Sequence, residues 1–447
     1  MPVENSEPEH PLHADRRQFV RRVGLAVAGL GASGGMTATA LVTGPSGSPQ
    51  TASSAEPAAS WLARIREQIP AATSGRYFQT AGIGPSPREV IGTLAERLEF
   101  QNENPVGPEI SESMAAIEPR LRQHLGRSLG AAADEVALTH STSEGINIVS
   151  WSIAWREGDE VIISNQEHPS NIIPWYNLRE RFGIVLREID MSAAAELHSQ
   201  VQAALSERTR LVSLSHVSRN NGRLIPTDDS QALAEVLRAR RVRYHLDGAQ
   251  GPGCVPVDFR GLGCDYYSTC GHKWLLGPKG TGALLVRRAM LDQTLLSWTG
   301  AHSHATMDYT GGFTLKPDAS RFEFGTRALA TFAGFDAALD YWDRLGWERI
   351  FDRNRSLVDF AIERIDRSES LELSSPRAAT ERSAIVSIRT PEGVDTLAMY
   401  RRLREEEGVL ASPVREPRDF RLALHCFNTE EDIEVALEAI ERFIASA

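Results

Sequence analysis

The chain has 447 residues, of which 41% are hydrophobic and 24% charged, and its formal net charge is -11 at pH 7. That length holds either two or three domains or one large α/β unit, and the composition is that of a globular protein rather than a disordered or fibrous one. The acidic balance excludes the usual nucleic-acid binder, which concentrates basic charge on one face.

At the N-terminus, Asp15-Arg16-Arg17-Gln18-Phe19 precedes residues 23–42, a glycine- and alanine-rich run without a charge. The pattern resembles a twin-arginine signal, which implies export through the Tat machinery to the periplasm or cell exterior. The competing reading is a membrane anchor left by an uncleaved signal, although glycine, serine and threonine dilute the run. Ser53-Ser54-Ala55 offers small residues for cleavage, and residues 44–60 read as a linker. Gly29-Leu30-Gly31-Ala32-Ser33-Gly34 satisfies a dinucleotide-binding fingerprint on paper, but no strand precedes it, so it carries no such reading. The expected organisation is a signal and linker over 1–60, a large domain over 61–325 and a smaller C-terminal domain over 326–447.

From about Tyr77, short β-branched runs alternate with amphipathic stretches. Strands are predicted over 136–139, 161–164, 184–189, 211–217 and 242–246, and helices over 144–153, 171–181, 193–205 and 230–240. Near-continuous apolar strands between helices predict an α/β fold with a mostly parallel sheet sandwiched by helices. Ligands in such sheets gather at the carboxyl ends of the strands. Farther on, helices are predicted over 330–345, 347–365, 394–407 and 430–444, with strands over 371–373, 384–388 and 421–425. These form a smaller α+β part.

Four strand exits carry candidate chemistry. Thr139-His140-Ser141-Thr142-Ser143-Glu144 joins a strand to a helix, where free N–H groups and the helix dipole favour an anion, or where Ser141 and Glu144 simply cap the helix. Glu167-His168-Pro169 places a histidine at the next exit, either structural or a catalytic candidate as a ligand, a base or a stacking ring. His245-Leu246-Asp247-Gly248-Ala249-Gln250 ends a strand in a carboxylate followed by small residues, a tight turn or a partner for a protonated ring nitrogen. Tyr266-Tyr267-Ser268-Thr269-Cys270-Gly271-His272-Lys273-Trp274 then offers a lysine among aromatic and small residues. The chain has only three lysines, Lys273, Lys279 and Lys316, and the other two read as turn and loop. Burial makes an amine a nucleophile, which imine formation requires. The cysteines, Cys254, Cys264, Cys270 and Cys426, lack C-x-x-C spacing, so no metal site is expected; disulfides stay open if the chain is exported.

In this order the elements resemble the class V aminotransferase family of fold-type I pyridoxal 5'-phosphate (PLP) enzymes, a family that includes cysteine desulfurases, selenocysteine lyase and isopenicillin N epimerase. The resemblance runs from about Tyr77 to the C-terminus, and the run from His272 to Gly280 is most similar to the epimerase-like branch. It implies that Thr142 and Ser143 bind the cofactor phosphate, with His272 as another phosphate contact. It places His168 on the pyridine face, Asp247 on the ring nitrogen and Gln250 on the ring hydroxyl, and makes Lys273 the Schiff-base lysine. Thr326 would reach the partner subunit's phosphate in a homodimer, and Arg421 would bind the carboxylate of a small amino-acid-like substrate.

Two departures qualify the resemblance. Residues 408–420, where desulfurases carry a catalytic cysteine, contain none. Cys270 stands where a serine commonly contacts the phosphate, with Thr269 as a possible substitute. Transamination, epimerisation and elimination all use the residues named, so the expected activity is PLP-dependent chemistry at Cα of an amino acid or amine, as an aminotransferase or epimerase. A carbon–sulfur lyase without a catalytic cysteine is one alternative. An exported binding protein that kept the fold without activity is another, which the joint presence of Lys273 and Asp247 disfavours.

Overall fold

The computed structural model describes residues 56–191, 197–414 and 418–447. The twin-arginine reading, on residues 15–55, lies outside them. Within the expected linker, a helix already begins at Ala58 and runs to Gln68, burying Trp61 and Ile65. No helix among the described residues is long and apolar enough to cross a membrane.

After the short strand β1 (Arg76–Tyr77), seven strands build the central sheet. They are β2 (Val136–Thr139), β3 (Glu160–Ser164), β4 (Val185–Ile189), β5 (Thr209–Ser215), β6 (Arg243–Asp247), β7 (Tyr266–Cys270) and β8 (Gly282–Val286). Their order is β2-β8-β7-β6-β5-β3-β4. β8 runs antiparallel to β2 and β7, and the other pairs are parallel. The residues of β2, β3, β7 and β8 are buried throughout, as a sheet covered on both faces requires. β4 lies at the edge and turns Arg187 and Glu188 outward, charges that discourage further strand pairing.

Beyond the sheet lies an exposed hairpin, β9 (His304–Met307) and β10 (Phe313–Leu315). A second sheet contains β11 (Glu372–Leu373), β12 (Ile385–Arg389), β14 (Ser412–Val414) and β15 (Asp419–Ala423), in the antiparallel order β11-β12-β15-β14. A further strand, β13 (Val409–Leu410), pairs in parallel with β1, and Gln79 bridges to Ala423. The N-terminal segment is therefore stitched to the C-terminal sheet, and the helix Trp347–Asp366 contributes Leu357, Val358 and Ile362 to the same core. Helix Leu329–Leu345 instead packs against Arg88–Glu103 and Ile117–Leu129, burying Phe332, Phe335 and Trp342 in the core beside the large sheet.

Candidate active site

The carboxyl ends of β2, β3, β5, β6 and β7 open onto one cavity of about 320 Å³. It is lined by Thr142, Ser143, His168, Asp247, Gln250, His272, Lys273 and Arg421, brought together from positions spread over most of the chain. Thr326 does not line it and is exposed on this chain.

β6 ends on Asp247, whose backbone pairs with Ser268 of β7, and the chain beyond β7 returns Lys273 to the same cavity. Burial raises the Asp247 pKa, opposed by the Ala249 N–H, which donates to Oδ1 at 2.9 Å, and by the charge of Lys273. A cationic ring nitrogen at Asp247 would stabilise its ionised form. Backbone above the lysine is packed tightly. The Gly84 N–H donates to the His272 carbonyl at 2.7 Å, and a Cβ on Gly84 would sit 1.8 Å from the Lys273 carbonyl oxygen.

His168 Nδ1 accepts from the Ser170 N–H at 3.0 Å, which leaves its proton on Nε2. Burial and then the nearby charge of Lys273 push its pKa down to about 4. A ring held neutral and fixed in orientation suits stacking better than proton transfer. Gln250 Oε1 accepts from the Trp274 indole at 2.7 Å while Nε2 donates to the Ala81 carbonyl at 2.8 Å. One hydrogen of Nε2 remains for a ring oxygen.

The helix Thr142–Ser150 starts at the cavity with Ser141 as its N-cap, whose hydroxyl accepts from the Glu144 N–H at 3.3 Å. The Glu144 carboxylate takes the His140 N–H at 2.7 Å rather than that of Ser141, so the capping box is shifted by one residue. Capping leaves donors free for an anion here, because Thr142 Oγ1 and His272 Nδ1 are both buried without a hydrogen-bond partner. Buried polar groups are rarely left so, and a phosphate bound at this helix end would satisfy both. The donors present fit a phosphorylated pyridine aldehyde.

The sequence suggested that Thr269 could replace Cys270 at the phosphate. Strand alternation prevents it: Thr269 is turned away and donates to the Gly248 carbonyl at 3.1 Å, whereas Cys270 lines the cavity. Burial raises the Cys270 pKa, keeping the thiol protonated. Among the described residues all four cysteines are free and buried.

Arg421 is buried, and burial together with the charge of Arg219 pushes its pKa down to about 10. Its Nη1 donates to the Arg219 carbonyl at 2.6 Å, and its Nε has no partner. Arg219 also lines the cavity, in Ser218-Arg219-Asn220 just past β5. The sequence signal for it was the strand exit, the same signal that led to His168 and Asp247. A second unforeseen residue is Glu167, a buried carboxylate beneath His168. It accepts from Ser164 Oγ at 2.5 Å, from the Ser215 N–H at 2.9 Å and hydroxyl at 2.7 Å, and from Asn171 at 2.7 Å. Burial pushes its pKa up to about 7.

Residues 76–435 match the family model of the aminotransferase class-V proteins. A cysteine desulfurase of Salmonella typhimurium is 37% identical over 67% of this chain and 75% of its own length. A probable cysteine desulfurase of Methanothermobacter thermautotrophicus is 31% identical over 64% of this chain and 71% of its own. Among solved structures, the cystine C-S lyase C-DES, in complex with its product cysteine persulfide, superposes with a TM-score of 0.78 at 26% identity, covering 84% of this chain and 99% of that one. A mutant of C-DES carrying glycine covalently linked to its PLP cofactor gives the same TM-score and identity over 85% and 98%.

Proposed function

The chain belongs to the aminotransferase class-V family and uses pyridoxal 5'-phosphate, and from that premise we propose that it is a carbon–sulfur lyase: it eliminates a sulfur leaving group from Cβ of an amino acid without using a protein thiol. The observation that carries this reading is the cavity itself, which joins Lys273, Asp247 and Arg421 with no sulfur nucleophile beyond the buried, protonated Cys270. The relatives named above act on sulfur amino acids, which sets elimination ahead of amino transfer or epimerisation.

Lys273 would hold the cofactor covalently, Asp247 its ring nitrogen, His168 and Gln250 the ring, and Thr142, Ser143 and His272 its phosphate. Bound there, the cofactor supplies an electron sink for the charge that develops at Cα. The chain's own groups do the rest. Arg421 takes the substrate α-carboxylate on its free Nε edge, fixing which bond at Cα faces the cavity. Lys273 Nζ removes the Cα proton, a positioned base of the kind that gives about 10²–10⁴-fold in rate. The neutral His168 ring, with its single fixed proton, does not compete for it. Water hydrolyses the remaining three-carbon fragment to pyruvate and ammonia.

The test is to supply L-cystine and related β-thio amino acids to the holoenzyme without a keto acid. Pyruvate and ammonia should appear in equal amounts, with no persulfide left on the protein. Amino-group transfer that requires a keto-acid acceptor, or inversion at Cα without pyruvate, would assign the other reactions.

Two further parts of the reading stand with it. The chain works as a homodimer, supported by exposed Trp298, Met307, Tyr309 and Phe313 around the β9–β10 hairpin, an apolar surface of the kind that marks association, and by Thr326 left exposed outside its own cavity. It is exported by its twin-arginine signal, supported by Arg16-Arg17 and the uncharged run that follows.

A further inference from the structure

The cavity holds one guanidinium more than the α-carboxylate of an amino acid can use. Arg421 has spent Nη1 on the Arg219 carbonyl, and what remains to it is the Nε–Nη2 edge, which matches one carboxylate in bidentate fashion. Arg219 is left over. Its guanidinium lines the same cavity, is part-buried, and has no acidic side chain within ion-pair distance among the described residues. Several other arginines, Arg66, Arg122, Arg287 and Arg364 among them, find a carboxylate at 3.0 Å or less. Arg219 lies close enough to add to the burial that lowers the Arg421 pKa, the two are tied by a backbone hydrogen bond, and among the described residues the one acidic group lining the cavity is Asp247, so the site is short of negative charge. Asp247 is committed to the ring nitrogen in the reading above. Such a pair is costly to hold together unless a ligand supplies the missing anion.

We propose that Arg219 binds a second carboxylate, so that the substrate is an amino diacid whose leaving sulfur carries its own acidic group. The proposal rests on the PLP reading of the cavity. It adds to that reading the class of side chain and names Arg219 as the residue that selects it. Arg421 then sets the α-carboxylate and Arg219 the far one, and the bond to be broken lies between the two. Because the backbone carbonyl of Arg219 also holds Arg421, a ligand that engages both guanidiniums is read by one rigid unit across β15 and the exit of β5.

The discriminating pair is S-carboxymethyl-L-cysteine and S-methyl-L-cysteine, which differ by one carboxylate. Holoenzyme is first treated with borohydride, which fixes the cofactor to its lysine and stops turnover, and each compound is then titrated by calorimetry. The diacid should bind about 10- to 100-fold more tightly than the monoacid, the range expected for hydrogen bonds to a charged group in a partly desolvated site. In Arg219→Met the ratio should fall to about one, with monoacid affinity little changed, and Arg219→Lys should keep part of the preference, as a cation without the fork. Thermal melting of each variant shows whether it is folded, and the lysine variant carries the test if the methionine variant is not. Equal binding of the two compounds by wild type, or a preference that survives in Arg219→Met, overturns the proposal while leaving the PLP reading intact. Failure of borohydride to fix any cofactor overturns the PLP reading instead.

Discussion

The indole N–H of Trp274 donates to Gln250 Oε1 at 2.7 Å, and both groups are buried. An indole can only donate, so this bond decides which end of the amide meets the cavity and leaves the Nε2 hydrogens for Ala81 and the cavity. Trp274 follows Lys273 directly, so the lysine proposed to anchor the cofactor and the residue that orients Gln250 share one piece of backbone.

Replacing Trp274 by Phe keeps most of the packing and removes the donor. Gln250 Oε1 is then buried without a partner, which costs about 1–3 kcal/mol. The expected outcome is a lower melting temperature together with faster cofactor release, followed by the loss of the bound cofactor's visible absorbance during dialysis.

Thr142→Val should separate cofactor binding from stability. Its hydroxyl is buried and unpartnered in the protein alone, so an apolar replacement of the same shape leaves the apoprotein as stable as before or slightly more so. The phosphate loses a donor, and affinity for PLP should fall by about tenfold, measured by equilibrium titration of apoprotein.

Gly84→Ala should act on the backbone of Lys273. The added Cβ meets the Lys273 carbonyl oxygen at 1.8 Å, so one of the two segments must shift and the 2.7 Å bond from Gly84 to His272 is lost. A destabilisation of about 1–3 kcal/mol by denaturant unfolding is expected. Activity should fall by more than that loss of folded protein accounts for.

A pH effect on stability comes from outside the active site. His124 is buried with Nδ1 at 2.9 Å from Asp336 and Nε2 at 3.0 Å from Asp343, while Arg120 also bonds Asp336. Burial opposes its charge, but the two carboxylates outweigh burial and raise its pKa above 6.5. A raised histidine pKa contributes stability that is full below the unfolded value and is lost as pH climbs through the folded one. His124→Gln should therefore cost more stability at pH 5.5 than at pH 9, measured by urea unfolding at both. An equal loss at the two pH values would show that the ring is held neutral.

Much of the fold was legible because the apolar runs are long and the helices amphipathic. The strand predicted over 136–139 is β2, and 161–164 misses β3 by one residue at Glu160. The helix expected from 144 begins at Thr142, because Ser141 caps it and the capped turn itself carries no apolar signal. β8 escaped prediction, since Gly282-Ala283-Leu284-Leu285-Val286 has no alternation, and its antiparallel insertion between β2 and β7 is a matter of tertiary pairing. Asp247, Lys273 and His168 stood out as unusual residues at strand exits. Arg219 did not, because its meaning depends on Arg421, 202 residues away, arriving beside it from the second sheet. Thr269 and Cys270 could be told apart only once the face of β7 toward the cavity was known.

The central claim is that the amine of Lys273 carries the cofactor opposite Asp247. Reducing the yellow holoenzyme with borohydride and mapping the modified peptide by mass spectrometry tests it directly. The account predicts a single pyridoxyl adduct on Lys273, absent from Lys273→Ala. An adduct on Lys279 or Lys316, or none from protein that retains its colour, would contradict it.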